Sequence, residues 1–239
     1  MKTLVAIGCS HTAGAELYQG HADHPKSKDL AFASTVAKEL NFEYINLAQN
    51  GASNDYIFRN SVKFINEHIN CINDYFFLIG WTSAWRFELR YRDDEQYVHN
   101  KGQHVIDPKY VPCSPSMWFD NIQEHRMKKL VTKFSDILAE PSMTYDKMAT
   151  FAWSLQQVFN SLNIDYLMFN AIHSIPVTAS TEHLVNNIDT RYFHEPQNDD
   201  ITFYNYCTDN LKIQPNQFYH LPQNAHDEFA KILLQRISL

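Results

Sequence analysis

Short apolar runs recur along this chain, and segments with helical spacing of apolar residues separate them. Such runs predict strands of a parallel sheet, because those strands are covered on both faces. We predict strands at residues 3–8, 42–47, 75–79, 165–170 and 217–219. The helical spacing predicts helices at residues 29–40, 54–70, 144–162 and 223–237. This alternation indicates an α/β fold with helices on both faces of the sheet.

Two regions interrupt the alternation of strands and helices. Residues 84–118 are rich in arginine, tyrosine and proline, and residues 174–214 are polar and aromatic. Neither has the composition of an independent domain. We therefore predict a single domain over residues 1–239 with two insertions over one end of the sheet, where loops carry specificity.

The charge of the chain excludes some classes of binding partner. The 239 residues carry a formal net charge of -7 and contain no basic run, so neither nucleic acid nor an anionic membrane surface is expected as a partner. The apolar stretch at the N-terminus is shorter than a signal peptide requires, and no stretch has the length of a membrane span. These features favour a cytoplasmic protein. The sequence does not indicate an oligomeric state.

Two segments carry residues suited to catalysis. Gly8-Cys-Ser-His-Thr12 follows the first predicted strand, so Ser10 is expected at the carboxyl end of the sheet, where α/β proteins bind ligands. His220 lies near the C-terminus and offers an imidazole that can accept a proton near neutral pH. A serine hydroxyl needs such a base to act as a nucleophile.

Four segments in this order resemble the SGNH (GDSL-like) hydrolase family. They are Gly8-Cys9-Ser10, residues 46–53 with Gly51, Gly80-Trp81-Thr82, and His220 followed six residues later by His226. The resemblance implies a three-layer α/β/α, flavodoxin-like fold with a parallel sheet of roughly five strands. Residues 80–86 are also similar to members of the family found in bacteriophages, which adds a virion as an alternative location.

The resemblance implies a role for each matching residue. Ser10 is the expected nucleophile and His220 its base. The oxyanion hole is expected from the backbone N–H groups of Ser10 and Gly51 together with the side chain of Thr82. Thr82 stands where the family has an asparagine, so Asn54 or Ser83 is a candidate replacement donor.

The acid of the expected triad is missing from its usual place. Gln217 stands where the family has an aspartate three residues before the histidine. Gln217 can orient the ring but cannot stabilise the imidazolium by charge. The alternatives are a Ser-His dyad or another acid, such as Asp209 or Asp227.

Other side chains are candidates for the substrate pocket or for structural roles. The pocket candidates are His11, Asn54, Trp81, Ser83, Trp85 and Arg86. We expect His226 to be structural. The pairs His21/His24 and His99/His104 have spacings that a metal could use, but solvated loop histidines are the favoured interpretation, so no metal and no cofactor is expected.

The leading functional hypothesis is hydrolysis of a small-molecule or glycan ester, such as a carbohydrate O-acyl ester, through an acyl-enzyme on Ser10. A second hypothesis is a non-catalytic carbohydrate- or ligand-binding module on the same fold, because Thr82 and Gln217 depart from the family pattern. A third treats residues 10–14 as a flavodoxin-type loop for phosphate or flavin. The third leaves Gly51 and His220 without a role.

Overall fold

A computed structural model describes residues 1–21, 24–90, 110–113, 129, 132–133 and 141–237. Five parallel strands form the central sheet in the order β2-β1-β3-β6-β7. Their bounds are β1 Thr3–Ile7, β2 Glu43–Asn46, β3 Tyr75–Trp81, β6 Asp165–Asn170 and β7 Phe193–His194. The predicted α/β/α fold with a five-stranded parallel sheet is confirmed.

The longer helices cover the two faces of this sheet. Helix α3 packs against α8, and α4 packs against α5. In chain order the helices are α1 Ser10–Ala13, α2 Pro25–Leu30, α3 Phe32–Glu39, α4 Asn54–Glu67, α5 Pro141–Ser161, α6 Glu182–Val185, α7 Phe203–Asn205 and α8 Gln223–Ile237. Short 3₁₀ turns cover Ile69–Asp74 and Asp199–Ile201, and a π-helical turn covers Tyr206–Asn210.

The two central strands explain why the apolar runs were informative. In β1 every residue after Thr3 is buried, and in β3 every residue after Tyr75 is buried. The strands run in register, with Thr3 opposite Tyr75 and Ile7 opposite Ile79. Their carboxyl ends therefore lie side by side, and the segments that follow them must meet there.

One predicted helix is divided in two. Residues 29–40 break at Ala31, whose backbone is extended (φ -65°, ψ 152°), so α2 ends and α3 begins at this point. The first N–H group of α3 has no partner within the helix. The Nδ1 atom of His226, on α8, accepts this hydrogen bond from Phe32 at 3.2 Å. The break is thus stabilised by a contact that local sequence does not show.

The prediction for the fifth strand was wrong. Residues 217–219 form an exposed turn in which Tyr219 has a left-handed backbone (φ 63°). The fifth strand is instead β7, which pairs with β6 in parallel and buries Phe193 completely. Two residues within a polar segment are too short to show an apolar run.

The predicted insertions are described in part. In the first, β4 Phe87–Arg90 and β5 Tyr110–Cys113 form an antiparallel pair, while residues 91–109 and 114–118, including His99 and His104, lie outside the described residues. The second contains α6, β7, α7 and the short turns between them. No helix among the described residues is both long and apolar enough to cross a membrane. The division of the chain into one domain with two insertions stays a prediction.

Candidate active site

Three motif segments meet at the carboxyl edge of the sheet because their strands are neighbours. Ser10 follows β1, Gly51 follows β2 and Thr82 follows β3, and β1 lies between the other two strands. The Asn46 side chain also joins two of these segments, because its amide donates a hydrogen bond of 3.1 Å to the carbonyl of Thr12. Ser10 is thereby placed at the centre of the group.

Two glycines allow α1 to lie close over the strand ends. A Cβ atom at Gly8 would lie 2.2 Å from the Oγ1 atom of Thr12, and one at Gly80 would lie 2.5 Å from the same atom. Both positions therefore exclude any larger residue. Ser10 is the first residue of α1 and is 4% exposed, and Gly14 ends the helix with a left-handed backbone.

His220 faces a carboxylate that the sequence did not point to. Its Nδ1 atom lies 3.1 Å from the Oε2 atom of Glu16, and both side chains are largely buried. The contact is not a hydrogen bond, because the ring nitrogen is not directed at the oxygen closely enough, and it becomes an ion pair when the ring is protonated. Glu16 lies six residues after Ser10 on the loop that follows α1, and its backbone is left-handed (φ 67°).

Asn216 holds this histidine and this glutamate in one network. Its Nδ2 group donates a hydrogen bond to the Oε2 atom of Glu16. Its Oδ1 atom accepts from the backbone N–H groups of His220 at 3.0 Å and Phe218 at 2.9 Å. Its own N–H donates to the carbonyl of His220 at 2.9 Å. One side chain thus bonds to both the turn that carries His220 and the carboxylate beside it.

The other candidate acids and the candidate orienting residue lie elsewhere. Gln217 is exposed on the turn, and no hydrogen bond joins it to His220 within the described structure. Asp209 is exposed and accepts a hydrogen bond from Thr208. Asp227 is exposed and accepts one from Gln223. Of these side chains and Glu16, it is Glu16 that contacts the ring of His220 in the described structure.

The Ser10 hydroxyl does not contact the ring of His220 through a hydrogen bond in the described structure. Considering only the described residues, its Oγ atom makes no hydrogen bond, including none to His220. Such bonds are often loose without substrate and tighten when substrate binds. Nδ1 is the nitrogen of His220 that faces Glu16, so Nε2 is the ring nitrogen that this contact does not involve.

His11 is a buried, neutral neighbour of the candidate base. Burial lowers the pKa of its ring well below the usual value, and the charges of His220 and Arg86 add to the effect. Its ring packs edge-on against the ring of His220, with centroids 5.7 Å apart, and it also contacts Phe203 and Tyr204. His11 therefore limits where the His220 ring can move.

His226 has the structural role that its position suggested. Its ring is buried, stacks on Phe32 with centroids 5.4 Å apart, and accepts the Phe32 N–H. Burial lowers its pKa to about 3, so the ring is neutral and serves as a hydrogen-bond acceptor near neutral pH. A ring bound in this way is not free to act as a base for Ser10.

The candidate donors to the oxyanion are of two kinds: backbone N–H groups, and side chains that already form hydrogen bonds within the protein. Gly51 has a left-handed backbone (φ 72°), which a glycine adopts without strain. Asn54 uses its amide on Thr82, accepting from the N–H at 2.9 Å and donating to the carbonyl at 3.3 Å. The Thr82 Oγ1 atom accepts a hydrogen bond of 3.1 Å from Arg86. The side chain of Asn54 is therefore a brace for the turn rather than a free donor.

The aromatic candidates for the pocket separate into a core residue and a rim residue. Trp81 is fully buried, and its Nε1 group donates to the sulfur of Met168, so its assignment to the pocket is corrected to the core. Successive residues of β3 point to opposite faces of the sheet, and helices cover both faces, so the Trp81 side chain is enclosed although it lies at the end of the strand. Trp85 is half-buried and packs against Tyr145.

A serine–histidine contact that was not predicted lies at the same edge of the sheet. The Oγ atom of Ser83 is 3.2 Å from the Nδ1 atom of His173, which follows β6. Burial lowers the pKa of His173, the Asp199 charge opposes this shift, and the Arg86 charge adds to it. Nothing in the local sequence around His173 marks it, because its neighbour is ninety residues away in the chain.

One of the histidines considered for metal binding has a structural contact instead. Within the described residues, no group of three or more histidine, cysteine or acidic side chains could hold an ion. His24, one of the paired histidines, instead caps α2, where its Nδ1 atom accepts from Lys26 at 3.1 Å.

The fold matches solved structures of esterases at low sequence identity. The psychrotrophic esterase EstA from Pseudoalteromonas sp. aligns over 100% of this chain and 97% of its own, with a TM-score of 0.52 and 11% identity. A putative lipolytic protein of the G-D-S-L family from Desulfitobacterium hafniense covers 99% of each chain, with a TM-score of 0.47 and 9% identity. The likeness to the esterase EstA agrees with an SGNH hydrolase-like fold.

Sequence comparison adds a family without an assigned function. The model of a family of unknown function, DUF6071, matches residues 15–190. No curated protein matches the chain in sequence.

Proposed function

This chain belongs to the DUF6071 family of unknown function, and we propose from the geometry of its site that it is a serine esterase. In this proposal Ser10 is the nucleophile, His220 the base and Glu16 the acid. The observation that carries the proposal is the 3.1 Å contact between His220 and Glu16. It supplies the carboxylate that the sequence pattern lacks. The SGNH hydrolase-like fold, in which Ser10 lies at the carboxyl edge of the sheet, supports the same assignment.

The proposed reaction proceeds in two steps. The Ser10 oxygen attacks the acyl carbon while its proton passes to Nε2 of His220, and the backbone N–H groups of Ser10 and Gly51 stabilise the negative oxygen. The tetrahedral intermediate collapses, the bond to the alcohol breaks, and the alcohol leaves with the proton from His220. Water then attacks the acyl-enzyme by the same route and releases the acid.

Glu16 serves this reaction through the ring of His220. Its negative charge favours the tautomer of His220 with the proton on Nδ1, and it stabilises the imidazolium that forms during each attack. Asn216 holds Glu16 and the backbone of His220 together, so the ring is oriented before substrate arrives. Preorganised groups of this kind cost little to align at the moment of reaction.

The proposed substrate class is a short acyl ester, and a carbohydrate O-acetyl ester is the first to test. Phe218 and Tyr219 lie on the turn beside His220 and are 57% and 61% exposed. Exposed rings of this kind offer apolar faces with a polar edge, which suits the faces of sugar rings.

A fluorophosphonate probe tests the nucleophile directly. We expect the wild-type protein to gain one adduct, which peptide mapping should place on the tryptic peptide that spans residues 3–26 and contains Ser10. Ser10→Ala should remove the adduct. Ser61→Ala is the matched control, because Ser61 is also buried but bonds to the Ile57 carbonyl on α4.

The same mapping identifies the competing sites. An adduct on the peptide spanning residues 64–86 would move the nucleophile to Ser83 and the base to His173. Absence of any adduct, with ligand binding retained, would favour the non-catalytic module.

A further inference from the structure

Arg86 is a half-buried cation for which the described residues provide no carboxylate. Its Nη1 group donates to the Oγ1 atom of Thr82 at 3.1 Å, and no acidic side chain among the described residues forms an ion pair with it. Arg59 and Arg191, in contrast, each face a carboxylate, Glu88 at 3.1 Å and Asp189 at 2.6 Å. A partly desolvated charge without a counter-ion is costly, so such an arrangement favours an anion supplied by a ligand.

The guanidinium is held by a braced turn. Thr82, its hydrogen-bond partner, is fully buried, and Asn54 bonds to both backbone groups of Thr82. The Arg86 N–H donates to the Ser83 carbonyl at 3.1 Å, which closes the turn. Arg86 is therefore oriented before any ligand binds, which reduces the entropy lost on binding.

Arg86 lies at the same edge of the sheet as the proposed nucleophile. Its charge lowers the pKa of both His11, which adjoins Ser10, and His173, which follows β6. Both imidazoles are largely buried and neutral, so they contribute no competing positive charge near neutral pH. The carboxylate of Asp199, whose charge acts on His173, accepts hydrogen bonds from the Ser174 N–H and from the Asn205 amide.

We propose that Arg86 binds a carboxylate on the ester substrate, so that the site selects acyl esters that carry a negative charge. The inference rests on the proposed esterase activity and names its substrate class. A guanidinium matches a carboxylate in shape and can donate two parallel hydrogen bonds to it. Thr82 accepts a hydrogen bond from one N–H group of the Arg86 guanidinium, and this bond would set the direction of the other N–H groups.

Two pairs of substrates, each with a charged and a neutral member, test this proposal. One pair is 3-acetoxybenzoate and 3-acetoxybenzamide, which places the charge on the alcohol side. The other is the 4-nitrophenyl monoester of adipic acid and its methyl ester, which places the charge on the acyl side. The quantity to compare is the ratio of kcat/KM for the charged and the neutral member, because any general loss of activity cancels in it.

We expect this ratio to fall about tenfold or more in Arg86→Gln for at least one pair. Arg191→Gln is the matched control, because it removes the same charge from an exposed site that pairs with Asp189. The control ratio should stay at the wild-type value. A ratio that Arg86→Gln leaves unchanged in both pairs would overturn the proposal, and so would an equal loss for charged and neutral esters.

Binding to a protein that cannot turn over separates this inference from the proposed function. In Ser10→Ala, calorimetry should detect the charged member of at least one pair more strongly than its neutral partner, and adding Arg86→Gln should abolish the difference. If the wild-type protein hydrolyses no ester but this difference is present, the esterase proposal fails and the anion site stands. If neither pair shows the difference, the anion site fails whatever the activity.

Discussion

The Nδ1 atom of His220 lies 3.1 Å from a carboxylate oxygen of Glu16, although 204 residues separate the two in the chain. Glu16 lies on the loop after α1, and α1 begins with Ser10, so the proposed nucleophile and the proposed acid belong to one segment. The proposed base comes from the other end of the chain. The proposed triad therefore forms only when the N- and C-terminal parts of the fold come together.

Replacing Glu16 tests its role as the acid. Glu16→Gln keeps the shape of the side chain but removes the charge that stabilises the imidazolium, so kcat should fall by about 10²–10⁴-fold. Steady-state hydrolysis of 4-nitrophenyl acetate measures this. Glu39→Gln, at an exposed position of α3, is the control and should retain wild-type turnover.

Gln217 provides the complementary test. Because Glu16 already faces the ring, Gln217→Asp should change turnover little. A strong gain in Gln217→Asp together with normal turnover in Glu16→Gln would return the acid position to residue 217.

Asn216 is expected to act by positioning rather than by contact with substrate. Asn216→Ala removes the bonds to Glu16 and to the His220 backbone, so kcat should fall about tenfold with little change in KM. Asn224→Ala, at an exposed position of α8, is the control. If Asn216→Ala lowers the melting temperature but leaves kcat unchanged, Asn216 only stabilises the turn.

Gly51 and Gly20 form a matched pair for the oxyanion hole. Both have φ of 72°, and a Cβ atom at Gly20 would meet nothing within 4 Å. An alanine at either position should cost about 1–2 kcal/mol of stability through backbone strain. Only Gly51→Ala should also lower kcat, because its N–H is expected at the reacting oxygen. Equal turnover in the two variants would remove Gly51 from the oxyanion hole.

Protonation of His226 should make the fold sensitive to acid. Its pKa is about 3 in the folded protein against an ordinary 6.5, so the unfolded chain binds the proton first as the pH falls. The unfolding free energy should therefore drop by about 2 kcal/mol from this group between pH 7 and pH 5. His11, whose pKa is also lowered by burial, acts in the same direction.

His226→Asn isolates this contribution. The asparagine oxygen can still accept the Phe32 N–H but does not titrate, so urea denaturation at the two pH values should show a drop smaller by about 2 kcal/mol. A drop of the wild-type size would mean that His226 is protonated in the folded state as well.

The fold could be predicted from the sequence where burial is continuous. Strands β1, β3 and β6 are apolar runs of five to seven residues, and α8 was placed at its observed bounds. Strand β7 could not be predicted because a strand of two residues is too short to show a periodic pattern of apolar residues. The turn with Phe218 and Tyr219 was predicted as a strand because it contains aromatic residues, although both are exposed.

Residues of the candidate site could be predicted only where they directly follow a predicted strand. Ser10, Gly51 and Thr82 were placed together because their strands were identified. Glu16 and His173 carry no local signal, since their partners are distant in the chain and the left-handed backbone of Glu16 is a tertiary feature. Trp81 was misplaced because the sequence does not show which face of β3 it occupies.

The most direct test of the central claim is the rate at which wild-type protein and Ser10→Ala hydrolyse 4-nitrophenyl acetate at neutral pH, with thermal unfolding as the check on folding. The account predicts saturable hydrolysis by the wild type, and a loss of about 10³-fold or more in Ser10→Ala with an unchanged melting temperature. Turnover at the wild-type rate in folded Ser10→Ala would contradict it.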